Sequence, residues 1–271
     1  MVHGDLFLDQ DGRLIIAEPN ELAVILGSSP AIEKVRERVL IAAERDMNVL
    51  LTGETGTGKG LVARSIHRLS ARRGRPLNAQ NCALVSARFF KSQFFGHCQE
   101  TSTGARETYV GLLEEADGSD LFLDVLETLP LECQTSLVRV MDQGEAQPVG
   151  SASVRRVSVR FIAATNRDPE LLVAQGKLRK DFLDRLRGFE IHLPPLREHA
   201  EDIPLLVELL LRDGGKPASV SEGAMAALLS HEWPGNVREL RNVVLSAQEW
   251  ARFRNERTIT RRHLELSAFE E

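Results

Sequence analysis

The stretch NVLLTGETGTGK at residues 48–59 decides the fold predicted for the rest of the chain. The apolar run Val49-Leu50-Leu51 predicts a buried strand, and the spacing of apolar residues becomes helical after Lys59. Between them lies the pattern Gly-x-x-x-x-Gly-Lys, which in this strand–loop–helix context is typical of a phosphate-binding P-loop. The alternative is a glycine-rich turn without a ligand.

The residue types in this loop suit phosphate chemically. Gly53, Gly56 and Gly58 permit backbone conformations in which successive N–H groups converge on phosphate oxygens. Lys59 adds a positive charge, and the helix that follows contributes the positive end of its dipole. One position departs from the usual pattern, because Gly60 stands where P-loops carry Ser or Thr to help hold Mg²⁺.

The composition excludes several classes of protein. A chain of 271 residues suffices for one large or two smaller domains, and a net charge of −5 favours no particular partner. The scattered Cys82, Cys98 and Cys133 predict buried free thiols in a reducing compartment. We find no apolar run of the roughly 18–20 residues that span a bilayer and no signal pattern, so we expect a soluble, cytoplasmic protein.

Strand and helix patterns alternate through most of the chain. Besides the P-loop strand, further strands are predicted at residues 76–82, 121–124, 161–166 and 189–193, with a loose hairpin at 149–159. Helices are predicted from Pro30, capped by Ser29 and with Leu40 in its apolar stripe, and at 60–69, 130–142 and 179–186. This alternation predicts a three-layer α/β/α core with a parallel sheet.

The pattern changes near the end of this alternation. After residue 201 only helices are predicted, at 202–212, 222–231, 236–252 and after Thr260. We therefore predict an α/β nucleotide-binding domain at 22–197 and a small all-helical domain at 198–271. Residues 1–21 form an extension without assigned function. Asp11-Gly12 within it predicts a hairpin turn, and the alternative is the tail of a preceding domain.

A carboxylate at the end of a buried strand is the expected partner of a P-loop. Asp124 follows the apolar strand at 121–123, where a carboxylate can hold Mg²⁺ through water. Without the P-loop upstream, a solvated carboxylate would be favoured. Hydrolysis also requires a base that orients the attacking water. The next residue, Val125, cannot accept a proton, and Glu127 is expected to point elsewhere.

Three arginines could act on phosphate groups. Arg179 and Arg185 lie six positions apart around a predicted helix, and arginine can neutralise charge that develops on a transferred phosphoryl group. Arg238 follows a Pro-Gly turn and could reach back to the nucleotide. Spacing alone favours solvated arginines at all three positions.

Together these motifs resemble the central AAA+ domain of bacterial enhancer-binding proteins, the activators of sigma-54 RNA polymerase. The resemblance extends from about Leu26 to Asn242. It rests on a series of blocks in the family's order, namely GETGTGK at 53–59, NCA at 81–83, FGH at 95–97, STGA at 102–105, LFLD at 121–124, ATN at 164–166, RKDFLDRL at 179–186, LPPLRE at 193–198 and WPGNVREL at 233–240.

The resemblance implies an AAA+ core with a helical lid, assembled as a hexameric ring that binds ATP and Mg²⁺ between subunits. Asn81 resembles the switch residue that senses the catalytic glutamate, and Arg179 and Arg185 resemble fingers that act on a neighbouring subunit. This reverses the interpretation of the arginines as merely solvated. Thr165-Asn166 resemble the sensor after the fourth strand, Arg238 resembles the lid sensor, and Asp124 is implied to hold Mg²⁺. The implied nucleotide contacts are Gly53, Glu54, Thr55, Gly56, Thr57, Gly58, Lys59, Gly60, Asp124, Asn166 and Arg238.

Three positions depart from the family's pattern. Val125 replaces the Walker B glutamate, Gly60 replaces a glutamate after the P-loop lysine, and Ser102 replaces the aromatic residue of the loop that contacts sigma-54. Losing a water-orienting carboxylate costs on the order of 10²–10⁴ in rate. We therefore expect a sigma-54-activator-like transcription regulator that binds ATP, with impaired hydrolysis and an altered contact with the RNA polymerase sigma factor.

Two alternatives remain open. The first is an active sigma-54-dependent ATPase activator, in which Glu127 or Glu54 takes over the role of the base. The second is a non-hydrolysing partner subunit in a mixed AAA+ ring, because the fingers serve the neighbour's site and Val125 affects only its own. No helix-turn-helix is legible after residue 242, so we expect DNA binding only through a domain outside this chain, and no membrane association.

Overall fold

The computed structural model describes residues 6–8, 14–16, 25–100, 106–213 and 219–266. The chain divides into two compact units. The first comprises residues up to Val24 with Arg38–Thr52 and Lys59–His192, and the second comprises Ile25–Glu37, Gly53–Gly58 and Leu193–Glu271. The domain boundary predicted between residues 197 and 198 stays a prediction. No helix among the described residues is long and apolar enough to cross a membrane.

A parallel five-stranded sheet forms the centre of the first unit. Every residue of the P-loop strand and of its neighbour is buried, as in parallel sheets whose strands are apolar throughout. The predicted α/β core with a parallel sheet is confirmed. In the order β5-β1-β4-β3-β2, the sheet contains strands β1 (Val49–Thr52), β2 (Asn78–Asn81), β3 (Asp120–Asp124), β4 (Arg160–Thr165) and β5 (Phe189–His192).

Helices join these strands and cover the core of the first unit. That core includes the large side chains Phe90, Phe94, Leu121, Phe161 and Phe182, all buried. The helices are α1 (Pro30–Glu44, whose first turns belong to the second unit), α2 (Lys59–Leu69), α3 (Ala87–Phe95), α4 (Leu112–Glu115), α5 (Leu131–Gln143), α6 (Pro169–Ala174) and α7 (Lys180–Leu186).

The predicted start of α1 is confirmed. Ser29 Oγ accepts a hydrogen bond from Ile32 N at 3.3 Å, as an N-cap serine does. Val35 and Val39 are buried, but the prediction that Leu40 shares their stripe is wrong, since Leu40 is 41 % exposed. The reason is geometric, because adjacent helical residues are rotated by about 100° from one another.

Short strand pairs and 3₁₀ turns complete the first unit. The antiparallel pairing of Leu6–Leu8 with Leu14–Ile16 confirms the predicted N-terminal hairpin, whose Asp11-Gly12 turn lies outside the described residues. Glu145–Ala146 pairs with Arg155–Arg156, so the hairpin predicted within 149–159 begins earlier than expected. The turns are Cys82–Leu84 and Leu126–Thr128.

A further antiparallel pair joins His97–Glu100 with Arg106–Tyr109. The block at 95–97 runs from the last residue of α3 to the first residue of the strand His97–Glu100. Residues 101–105, with Ser102, lie outside the described residues. Cys82 and Cys133 are buried free thiols as predicted, and the side chain of Cys98 is outside the described part.

The second unit is mainly helical, as predicted. It contains helices α8 (Ile203–Asp213), α9 (Glu222–Ser230) and α10 (Asn236–Phe253), with 3₁₀ turns at Leu196–Asp202 and Arg261–His263. The prediction that only helices follow residue 201 is wrong, because Ser219–Val220 pairs in parallel with Thr258–Ile259. Two residues are too few to show the alternation that marks a strand in a sequence.

Candidate nucleotide-binding site

The glycines of the P-loop have backbone angles that other residues adopt rarely. The φ values of Gly53, Gly56 and Gly58 are 140°, 84° and 100°. A Cβ added at Gly58 would meet no atom within 4 Å, so the loop has open space at this point. Thr57 closes the loop on itself, since its Oγ1 donates to Glu54 O at 2.8 Å. These φ values explain why glycine occupies three positions of the loop, and phosphate binding by the loop stays a prediction.

The lysine of the motif begins helix α2, and Gly60 follows it in the first turn. A Cβ added at Gly60 would meet only Phe122 Cε1, at 3.9 Å. Packing therefore leaves room for a Cβ atom at position 60. Contacts with neighbouring residues therefore do not explain why glycine replaces the usual serine, threonine or glutamate at this position.

The predicted Mg²⁺ ligand and the predicted switch residue lie side by side. Asp124 ends β3, and Asn81 ends β2 directly opposite it in register. Asp124 is partly buried, and its Oδ1 accepts from Val125 N at 3.0 Å. Asn81 is exposed, and its Oδ1 accepts from Ala83 N at 2.9 Å. A partly accessible carboxylate at this edge fits a water-mediated contact with Mg²⁺.

The residue after Asp124 has an unusual backbone conformation. Val125 adopts φ 56° and ψ 51°, in the left-handed helical region. For an L-residue this conformation costs roughly 1–2 kcal/mol, and a β-branched side chain makes it still less common. The turn is held in place because Thr128 Oγ1 donates to Val125 O at 2.8 Å. Position 125 thus combines a strained backbone with a side chain that cannot exchange protons.

The neighbouring glutamate remains at the same edge of the sheet. Glu127 Oε2 accepts a hydrogen bond from Thr165 Oγ1 at 2.9 Å, and Thr165 is the last residue of β4. Burial, followed by the charges of Asp124 and Glu127, raises the pKa of the buried Cys82 thiol to about 12. The two carboxylates therefore act electrostatically on one small region beside β2. Asn166, the predicted sensor, is exposed immediately after β4.

Both predicted fingers are paired with carboxylates of their own chain. Arg179, the N-cap of α7, makes two hydrogen bonds to Asp181 at 2.9 and 2.8 Å. Arg185 binds Asp142 through Nε at 2.5 Å and Nη2 at 2.8 Å. The arginine hydrogen bond lowers the pKa of each aspartate. The Arg179 and Arg185 side chains are 42 % and 36 % exposed, so both are accessible at the surface.

In the second unit the loop lies against the start of α10. A Cβ added at Gly56 would stand 3.2 Å from the Cβ of Arg238. Glu54 accepts from Arg197 at 2.6 and 2.9 Å and from Asn236 Nδ2 at 3.1 Å. Arg238, the predicted lid sensor, therefore extends from a point in contact with the loop.

Sequence reasoning missed three of these contacts. The Glu54–Asn236 contact joins residues 182 positions apart, and Glu54–Arg197 joins residues 143 apart. The Thr165–Glu127 contact spans 38 positions. A local pattern could have drawn attention to Asn236 as an asparagine after a Pro-Gly turn. No local pattern predicts what its side chain contacts.

The sheet order, the glycine loop after β1 and the carboxylate at the end of β3 define a P-loop fold of the AAA+ class. Comparison with protein families is consistent with this class. A model described as "Sigma-54 interaction domain" matches residues 25–192, and one described as "AAA+ ATPase lid domain" matches residues 197–271. The chain therefore belongs to the sigma-54 interaction domain family.

Individual relatives are transcription regulators. The chain is 46 % identical over 230 residues to the formate hydrogenlyase transcriptional activator of Salmonella typhimurium, covering 83 % of this chain and 33 % of the relative. It is 45 % identical over 221 residues to the alginate biosynthesis regulator AlgB of Pseudomonas aeruginosa, covering 80 % and 49 %. The chain thus spans between a third and a half of the length of these relatives.

A solved structure confirms the fold. Crystalline NtrX from Brucella abortus in complex with ADP has a TM-score of 0.81 and 32 % sequence identity to this chain. The match covers 88 % of this chain and 54 % of NtrX. NtrX has also been crystallised in complex with ATP.

Proposed function

We infer that this chain is the ATP-binding AAA+ module of a sigma-54-dependent transcription regulator, with slow ATP hydrolysis and an altered contact with the sigma factor. The observation that carries this proposal is the end of β3, where Asp124 is retained and Val125 replaces the expected base. The NtrX complexes with ADP and ATP support nucleotide as the ligand. The altered contact rests on Ser102.

The residues present fit ATP and Mg²⁺. The loop Gly53–Gly58, which includes Thr55 and Thr57, would hold the phosphates through its backbone N–H groups. The ammonium group of Lys59 would add a positive charge. Asp124 would hold Mg²⁺ through water, and the ion would supply positive charge against the phosphate oxygens. Arg238 would contact the nucleotide from the first turn of α10. Asn166, which directly follows β4, would contact the phosphate end of the nucleotide.

The proposed slow hydrolysis of ATP follows from the side chain of Val125. An aliphatic side chain neither orients nor deprotonates an attacking water, and the deficit is about 10²–10⁴ in rate. Asn81, opposite Asp124, would have no glutamate to sense at that position. The nucleotide would then serve mainly as a ligand that selects between conformations or assemblies of the regulator.

The experiment measures binding, turnover and particle mass in one titration of ATP. The wild type should bind a fluorescent ATP analogue, and Lys59→Ala should weaken binding about 10- to 150-fold, since charge-assisted contacts contribute about 1.5–3 kcal/mol. Lys34→Ala, at an exposed position of α1, is the matched control. Turnover as fast as that of an active AAA+ ATPase, abolished by Lys59→Ala, would contradict slow hydrolysis.

One contact favours a second candidate, an active ATPase that uses Glu127 as its base. The Thr165–Glu127 hydrogen bond of 2.9 Å keeps this carboxylate at the edge that carries Asp124. Glu54, the other candidate base, is instead engaged by Arg197 and Asn236. If Glu127 acts, Glu127→Gln should abolish the turnover that the wild type retains, while nucleotide affinity is unchanged.

The assembly is proposed to be a ring, either of this chain alone or mixed with an active homologue. Arg179 and Arg185 are accessible and would exchange Asp181 and Asp142 for a phosphate of the adjacent subunit. In a mixed ring this chain would supply fingers without a base. Titrating it into an active homologue should then change that protein's ATPase rate, and an unchanged rate at all ratios would exclude the mixed ring.

A further inference from the structure

Asn236 is held in a rare backbone conformation at the start of α10. Its φ of 53° lies in the left-handed region, which asparagine tolerates better than most residues. Its backbone N–H donates to Trp233 O at 2.8 Å. Trp233 is fully buried, and its indole N–H donates to Leu228 O at 2.8 Å. The turn before α10 is therefore anchored in the core of the second unit.

The side chain of Asn236 makes three hydrogen bonds, although the residue is fully buried. Its Oδ1 accepts from Leu196 N at 2.7 Å. Its Nδ2 donates to Glu54 Oε2 at 3.1 Å and to Thr55 O at 3.0 Å. A primary amide offers two N–H groups and a carbonyl oxygen that can accept twice, so this geometry uses both donors and one acceptor site. Aspartate, with no donor at neutral pH, could not replace it.

Glu54 receives donors from two segments of the second unit. Besides Asn236, Arg197 donates to both of its carboxylate oxygens, at 2.6 and 2.9 Å. The guanidinium thereby compensates the negative charge of Glu54 within a loop proposed to bind phosphate. Such a bidentate pair also fixes geometry, because two parallel hydrogen bonds restrict rotation.

The loop and the turn also touch through their backbones. A Cβ added at Gly56 would lie 2.1 Å from Gly235 O, so only glycine fits at position 56. The same added atom would lie 3.2 Å from the Cβ of Arg238. The side chain of Arg238 thus begins where the loop and the turn meet.

We propose that Asn236 is a positioning residue for nucleotide, which holds the loop Gly53–Gly58 and the base of Arg238 in one fixed arrangement. The inference rests on the proposed function in taking nucleotide as the ligand. The coupling itself consists of contacts within the second unit. We call the contacts of Asn236 with Leu196, Glu54 and Thr55 the amide clamp.

Substituting glycine for Asn236 separates the effect of the side-chain amide from the effect of the backbone conformation. Glycine adopts φ 53° without strain, so Asn236→Gly removes the amide clamp and leaves the turn possible. Asn242→Ala is the matched control, since Asn242 is an exposed asparagine on the same helix. Asn236→Gly should weaken binding of a fluorescent ATP analogue about 5- to 30-fold, as expected for one or two net hydrogen bonds. Asn242→Ala should bind like the wild type.

A double-mutant cycle tests positioning against mere stabilisation. If the amide clamp sets the place of Arg238, then Arg238→Ala should weaken binding in the wild type and add little in the Asn236→Gly background. Fully additive losses would overturn the proposal. Where Asn236→Gly does not fold, Glu54→Gln removes the charge at the clamp from the loop side, and it should show the same dependence on Arg238.

Hydrogen exchange separates this proposal from the proposed function. Without nucleotide, the amides of residues 53–58 should exchange faster in Asn236→Gly than in the wild type and in Asn242→Ala. If the wild type binds no ATP but this difference appears, the proposed function fails and the amide clamp stands. Unchanged exchange together with unchanged affinity in Asn236→Gly would overturn the amide clamp alone.

Discussion

Strand β3 has an aspartate at each end, and the two side chains have opposite surroundings. Asp120 is fully buried and accepts from Arg160 Nε and Nη2 and from His67 Nδ1, each at 2.7 Å. Asp124 is partly exposed, and its Oδ1 accepts from the backbone N–H of Val125. Burial alone would raise the pKa of Asp120, but hydrogen bonds from His67 and Arg160 outweigh burial and lower it.

The difference separates a structural carboxylate from an available one. Arg160 is itself buried and donates further to Ala42 O and Arg45 O, so the Asp120 end of the strand is closed by its own network. The Asp124 end lies at the carboxyl edge of the sheet, where open α/β sheets bind ligands. The same residue type thus stabilises the fold at one end and remains accessible for chemistry at the other.

The largest effect is expected from restoring a base at the open end. Val125→Glu should raise ATP turnover by about 10²–10⁴-fold, because a carboxylate can orient and deprotonate water. Glutamate is not β-branched, so it should tolerate the left-handed backbone at least as well as valine. Steady-state phosphate release measures the change.

Val125→Gln is the control for this substitution, since it matches glutamate in size but cannot accept the proton. Its turnover should remain at the level of the wild type. If Val125→Glu and Val125→Gln are equally slow, the missing base is not what limits hydrolysis.

At the closed end, removing the carboxylate should cost stability. Asp120→Ala leaves the buried Arg160 guanidinium without its carboxylate partner, which should lower the free energy of unfolding by about 3–5 kcal/mol. The pair of Asp46 with Arg72 provides the control, because the Asp46 side chain is 71 % exposed and Asp46→Ala should cost less than about 1 kcal/mol. Denaturant unfolding measures both.

The double variant Asp120→Ala with Arg160→Met tests the reason for this loss. It removes the uncompensated charge, so it should recover part of the stability that Asp120→Ala loses. A double variant less stable than Asp120→Ala would show that Arg160 contributes mainly through other contacts.

Asp124→Asn should affect ligand binding and spare the fold. With Mg²⁺ present, affinity for an ATP analogue should fall about 10-fold or more, as for loss of a charge-assisted contact. With Mg²⁺ chelated, Asp124→Asn and the wild type should bind alike. The free energy of unfolding should change by less than about 0.5 kcal/mol. A loss of stability like that of Asp120→Ala would make the two ends of β3 equivalent.

The smallest expected effect is on the response to acid. Because the pKa of Asp120 is lowered in the folded protein, its contribution to stability is complete well above the ordinary pKa of aspartate. That contribution is lost as the pH falls through the lowered pKa. Asp202 is buried too, yet hydrogen bonds from Ser29 and Ser28 lower its pKa. Asp120→Ala should therefore lose less stability between pH 5 and pH 3 than the wild type, measured by denaturant unfolding, but retain the contribution of Asp202.

The sequence predicted the features that depend on neighbours along the chain. Strands β1, β3 and β4 are short apolar runs, and the P-loop and Asp124 follow directly from local patterns. The pair His97–Glu100 with Arg106–Tyr109 was not predicted, because its residues HCQE and RETY are largely polar and show no clear alternation. Leu40 was wrongly assigned to the buried face of α1, because it is adjacent in sequence to the buried Val39.

The roles of Asp120 and Asn236 could not be predicted. Asp120 depends on Arg160 and His67, which are 40 and 53 positions away. Asn236 depends on a loop 182 positions away. A single sequence gives residue types and spacings, but these contacts arise only once the sheet and the helices have been assembled.

The buried Cys82 has a consequence for labelling chemistry. Burial, followed by the charges of Asp124 and Glu127, raises its pKa to about 12, so the thiol stays protonated at pH 8 and alkylating reagents should react with it very slowly. Any movement that exposes this thiol to water, or that moves it away from Asp124 and Glu127, would accelerate the alkylation. The native cysteine is therefore a built-in reporter, and its alkylation rate with and without nucleotide would follow opening at the carboxyl edge of the sheet without an added probe.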